Sequence, residues 1–237
     1  MRELDLRSPL PAPDFADTGA LLAWLAAGRA TLAGLTPTPA LEASIEPLEY
    51  LPSGELGPLG RFADARFRTL VAATFLADLA SYPAPVDQVD FERLLYVMHR
   101  FPQGFRMWSA EVPGAGRLPV GYSGFYPIAR TSFTLLEQEP ATLRDRMVVP
   151  LPSLEPGGSF LYLFNFSVVP ALKRTSVSRR LLQALAGDIA RAAPRGLSSI
   201  TVSPDGARVV TRFGLKQTGT LVVDGCEEAV FTWKGED

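Results

Sequence analysis

Hydrophobic spacing divides the chain into helix-like and strand-like stretches. Leu21, Leu22, Leu25 and Ala26 recur at helical spacing within Thr18–Leu35, with Gly34 near the end, and predict a first helix. Prolines 37 and 39 break it, and residues 1–16, rich in proline, read as an extended arm. Leu41–Leu51 is predicted as a first strand, weakened at Pro47. Phe62, Phe67, Leu70, Val71, Phe75 and Leu79 place a long helix over Arg61–Ala80, and a second covers Asp90–Arg100.

Beyond this point strands dominate. Phe105–Val112 and Leu118–Ile128 form a pair around Pro113, Gly114 and Gly116. Residues 129–158 read as a long irregular connection, of the kind that is often functional when it occurs in a compact domain. Phe160–Val169 (FLYLFNFSVV) is apolar on both faces, as a central strand requires. Ser176–Arg191 carries the stripe Val177, Leu181, Leu185, Ile189 of a helix packed on a sheet. Leu197–Val202 is a strand, Asp205–Phe213 a short helix, and Leu215–Val223 with Cys226–Trp233 a hairpin around Asp224-Gly225.

This order predicts an α/β protein of the α+β type. Its mixed central sheet would carry helices on both faces, with an N-terminal helical extension. Residues 1–40 read as arm and helix, and 41–237 as one compact domain.

Composition narrows the function classes. A formal net charge of −2 argues against a nucleic-acid binder, whose affinity comes from neutralising phosphates. Lys173, Lys216 and Lys234 are the only lysines among 23 basic residues, a preference for arginine that reads as genome composition. The single cysteine, Cys226, rules out an intramolecular disulfide, and no metal is called for. His99 is the only histidine and no G-x-S-x-G elbow accompanies it, so a Ser-His-Asp hydrolase is not supported. Acidic residues and prolines at the start, and no apolar run long enough to span a bilayer, predict a cytoplasmic protein without a membrane partner.

The segment Phe160–Leu182 carries the chemistry. Lys173, Arg174, Arg179 and Arg180 surround the start of a helix at Ser176. The first turn of a helix carries about +0.5 of an elementary charge, so cations are unfavourable there unless an anion sits among them. Thr175, Ser176 and Ser178 are small enough to let such an anion approach the backbone and can bond it. A solvated basic turn with Ser176 as a plain N-cap fits the same residues.

The run from Val168 to Leu182 resembles the acyl-CoA-binding motif of the GNAT acetyltransferase superfamily, in a divergent form. That motif is a strand ending V-x-P, an Arg or Gln, two residues, then G-x-G or G-x-A opening a helix with paired leucines. Lys173 falls on the Arg/Gln position, and Ser176 and Ser178 on the glycines. Ser203–Leu215 resembles the family's next loop and helix, with Gly214 kept, Ser203 at a common asparagine position and Val210 where many members have a tyrosine acid.

The resemblance implies an acyl-CoA-dependent N-acyltransferase that carries acetyl from acetyl-CoA to an amine by direct attack. It implies a cofactor site of Ser167, Val168, Val169, Lys173, Arg174, Thr175, Ser176, Val177, Ser178, Arg179 and Ser203. Two residues are candidates for catalysis. Tyr162 on the central strand is a poor base, with an ordinary pKa of about 10, but a fit acid or orienting group. Glu111 on the neighbouring strand is a candidate base. Tyr122 and Tyr126 either line an acceptor site or pack. A second reading is a catalytically silent GNAT-like domain that binds an acyl-CoA or another ligand as a sensor or interaction module. The helices before Asp90 and the 129–158 connection would shape an acceptor pocket or form a homodimer surface.

Overall fold

A computed structural model describes residues 17–49, 60, 63–82 and 84–235. The extended arm expected over 1–16 and the end of the strand expected at 50–51 lie outside them. Among the described residues are seven α-helices: α1 (Thr18–Ala33), α2 (Pro39–Ala43), α3 (Ala65–Ser81), α4 (Phe91–Arg100), α5 (Arg130–Gln138), α6 (Ser176–Arg191) and α7 (Pro204–Arg212). The strands are β1 (Glu46–Glu49), β2 (Phe105–Val112), β3 (Gly116–Ile128), β4 (Phe160–Val168), β5 (Gly196–Thr201), β6 (Lys216–Val223) and β7 (Cys226–Lys234). They form one sheet in the order β1-β2-β3-β4-β5-β7-β6. Pairing is antiparallel for β1–β2, β5–β7 and β6–β7, and parallel for β4–β5.

Two compact units divide the chain, residues 1–123 with 167–183 and residues 124–166 with 184–237. In the first unit, consecutive β3 residues face different helices, as the two-residue period of a strand requires. The Tyr122 hydroxyl donates to Asp78 Oδ1 of α3 at 2.8 Å, while Leu181 of α6 closes on Gly121. Asp78 is fully buried, and its other oxygen accepts from the backbone of Val89 at 2.8 Å, so this carboxylate ties α3 to the segment before α4. Tyr122 therefore packs. His99 is half-buried, edge-on to Phe67 with ring centroids 6.2 Å apart.

The second unit is organised around β5 and the β6–β7 hairpin. Asp224 and Gly225 both have positive φ, 51° and 84°, as a tight hairpin turn requires. Cys226 is exposed. No described helix is long and apolar enough to cross a membrane.

Two expectations fail here. Leu41 begins no strand: it lies in α2, whose Thr38 hydroxyl caps the Leu41 amide at 3.1 Å with Pro39 at the first position. The strand starts five residues later, at Glu46, after the helix has ended at Ala43. Residues 129–158 are not irregular throughout. They contain α5, whose Phe133 and Leu136 are buried, and two single 3₁₀ turns, Pro140–Thr142 and Asp145–Met147. Helix α5 forms because Phe133 packs on Phe160 with centroids 4.6 Å apart, in space left open by Gly196.

Candidate functional site

Strand β4 ends in buried Ser167 and Val168; buried Val169 follows, and its amide donates to the Val120 carbonyl at 3.0 Å. The chain then makes one 3₁₀ turn, Pro170–Leu172, pinned by fully buried Leu172. Arg174 follows with φ 65°, a left-handed conformation that costs a non-glycine residue about 1–2 kcal/mol. That single residue turns the backbone into α6.

Thr175, not Ser176, caps the helix. Its hydroxyl donates to the Leu172 carbonyl at 2.8 Å and accepts from the Val177 amide at 3.2 Å. Ser178 donates to the Thr175 carbonyl at 3.0 Å. Ser176 is left to face outward, and its hydroxyl donates to Glu42 Oε2 at 2.7 Å. Here is the anion that the basic helix start calls for: α2 supplies a carboxylate from the same unit. Neither Ser176 nor Ser178 is among the residues with positive φ, so serine carries no backbone penalty at these two positions.

The cations fan out around this turn. Lys173, Arg174 and Arg179 are exposed, and the Lys173 ammonium sits 6.0 Å from the Tyr82 ring centroid. Arg180 is committed elsewhere, donating to the Ile45 carbonyl at 3.0 Å with its guanidinium 5.9 Å from the Trp108 ring. Val177 is buried beneath the turn. Glu111 is exposed and paired with Arg117 at 3.0 Å.

In the second unit, β4 and β5 run in register from Phe160–Gly196 to Tyr162–Ser198. One residue on, the link is a side chain: Ser199 Oγ donates to the Leu163 carbonyl at 2.9 Å. Phe164, Asn165 and Phe166 are half-buried, whereas Phe160–Leu163 are buried.

Tyr162 is fully buried, and its hydroxyl donates to Asp145 Oδ1 at 2.7 Å. Tyr126 lies against it with ring centroids 5.3 Å apart and 5.8 Å from Phe164, and bonds the Val148 carbonyl at 3.3 Å. Glu228 on β7 has its pKa raised, first by burial, then by the charges of Asp145 and Asp224, with Arg144 opposing. Ser203 caps α7, accepting from the Gly206 amide at 3.1 Å, and Val210 is buried.

Neither Asp145 nor Glu42 is singled out by the sequence. Asp145 lies within the connection read as irregular. Glu42 was assigned to a strand, although Thr38-Pro39 is a helix start and would have placed it on α2.

No protein-family model matches the sequence, and a search of curated proteins finds none similar to it. Solved structures do match. The chain is similar to the loading GNATL domain of CurA from Lyngbya majuscula, at 15% identity and a TM-score of 0.51, over 69% of this chain and 92% of that one. It is also similar to the NatC complex bound to Gag peptide and CoA, at 8% identity and a TM-score of 0.51, over 81% of this chain and 99% of that one. The chain has the GNAT fold. The turn from β4 into α6 is the feature that the sequence resemblance associates with the acyl donor.

Proposed function

We propose that the protein is an acyl-CoA-dependent N-acyltransferase that transfers acetyl from acetyl-CoA to an amine by direct attack. The observation that carries this reading is the β4–turn–α6 segment in a GNAT fold: buried Val168-Val169, one strained residue at Arg174, and a helix start of small hydroxyl residues among exposed cations. The edge of β4 at Ser167–Val169 receives the pantetheine arm. Lys173, Arg174 and Arg179, with the start of α6 at Thr175–Ser178, hold the diphosphate, and charge-assisted bonds at such a turn are the strong ones. The resemblance assigns Ser203 to the donor as well, and Tyr162 and Glu111 are the candidates for handling the amine. Holding amine and thioester together supplies much of the rate in such a reaction.

The second reading, a silent binding domain, is favoured by two observations. Val210 is a buried aliphatic residue where the resemblance calls for a tyrosine acid, and Glu42 already places a carboxylate at Ser176.

The test is release of free CoA thiol from acetyl-CoA in the presence of primary amines. Amine-dependent turnover supports the transferase. Binding of acetyl-CoA with no turnover selects the silent domain, and absence of both overturns the proposal.

A further inference from the structure

The start of α6 already holds an anion. Ser176 opens the helix, and its hydroxyl donates to Glu42 Oε2 at 2.7 Å. Lys173, Arg174 and Arg179 stand within three residues of that serine, and all are exposed. The first turn of a helix attracts negative charge, and neighbouring cations add to the attraction. A carboxylate oxygen of Glu42 therefore sits where a phosphate oxygen would be favoured.

This carboxylate does not hold its own helix in place. Thr38 caps the Leu41 amide at 3.1 Å, and Leu41 and Ile45 are buried. The Ser44 hydroxyl donates to the Leu41 carbonyl at 2.7 Å and accepts from the Glu111 amide at 3.0 Å, which fastens the end of α2 to β2. Arg180, one turn along α6 from Ser176, donates to the Ile45 carbonyl at 3.0 Å and keeps the segment beside that helix. With these contacts made, the Glu42 side chain can swing off Ser176 while α2 stays where it is.

Resting on the acyl-transfer reading above, we infer that Glu42 makes an autoinhibitory contact: it is a resident anion that competes with the donor's diphosphate for the start of α6. In the free protein its carboxylate offsets part of the charge of the basic turn. When the donor binds, the diphosphate takes over the Ser176 hydroxyl, and the carboxylate withdraws to water, which half-buried Glu42 already reaches. The exchange runs forward because a diphosphate brings more negative charge to the cations than one carboxylate does. Its consequence is a donor affinity lower than the cations alone would give.

The experiment titrates wild type, Glu42→Gln, Glu42→Ala and Glu46→Gln with acetyl-CoA in a calorimeter. Glu46 is an exposed acid at the start of β1, 3.9 Å from Arg117, so its variant removes the same charge from the same segment but not from the turn. The inference predicts about fivefold tighter binding by both Glu42 variants, the scale of one charge at a helix terminus. Glu46→Gln should stay within about twofold of wild type, because solvent and salt screen an exposed charge away from the ligand. Acetyl-3′-dephospho-CoA should gain by the same factor in the Glu42 variants, since the diphosphate and not the 3′-phosphate is what Glu42 opposes. Equal affinity in wild type and the Glu42 variants, an equal gain in Glu46→Gln, or a gain that vanishes with the dephospho donor overturns the inference. Binding by the Glu42 variants where wild type shows none supports it. No binding by wild type or by either Glu42 variant is a separate result and removes the acyl-transfer reading itself. Should one Glu42 variant fail to fold, the other decides alone.

Discussion

Ser176 shows how one side chain can change the meaning of a motif position. A glycine there would leave the start of α6 bare. Serine instead donates to Glu42, and a carboxylate enters a turn already rich in cations. Glu42 is half-buried on α2, so its charge is only partly screened by solvent. In the donor-binding account this carboxylate opposes the diphosphate and must be displaced or pushed aside. Glu42→Gln keeps a hydrogen-bond acceptor and removes the charge. It should tighten acetyl-CoA binding about fivefold, the equivalent of the roughly 1 kcal/mol that a charge at a helix terminus is worth. Thermal stability should change little. Equal affinity in Glu42→Gln and wild type would show that the diphosphate does not approach this turn.

At the scale of elements, legibility tracked how much of each element's stability is local. Helix α6 was readable to the residue because its buried stripe, Val177, Leu181, Leu185 and Ile189, repeats every four residues. The β6–β7 hairpin was readable because Asp224-Gly225 suits two consecutive positive φ angles. Helix α5 was not. It is nine residues long, opens at Ala129 without a side-chain cap, and buries only Phe133 and Leu136. Its partners, Phe160 and Gly196, are distant in sequence, so tertiary packing decides it. The basic turn before α6 could be located from sequence, but Thr175 as its cap and Glu42 beside it could not, since both depend on how the backbone turns at Arg174. Close backbone approach was equally invisible. A Cβ at Gly121 would lie 2.6 Å from the Ser167 carbonyl oxygen, where β3 meets the end of β4. Gly121→Ala should therefore destabilise the protein by about 2 kcal/mol, within the range for overpacking, because a backbone atom cannot step aside cheaply. Chemical denaturation would measure it, and a variant as stable as wild type would show that β4 yields at this point.

For the whole molecule, fold and function stand on different footing. A GNAT fold with a mixed central sheet is reached both from the sequence and from solved structures that share little sequence, and the seven described strands have β4 parallel to β5. Function lives in particular side chains placed on that scaffold. The donor-binding proposal rests on the cationic turn at the start of α6. The most direct measurement is calorimetric titration of the full chain with acetyl-CoA, beside a Lys173→Ala/Arg174→Ala double variant. The account predicts micromolar binding by wild type and about tenfold weaker binding by the variant, roughly 1.4 kcal/mol for two charge-assisted contacts at a partly exposed site. No heat of binding at millimolar acetyl-CoA, or equal affinity in the two proteins, would contradict it.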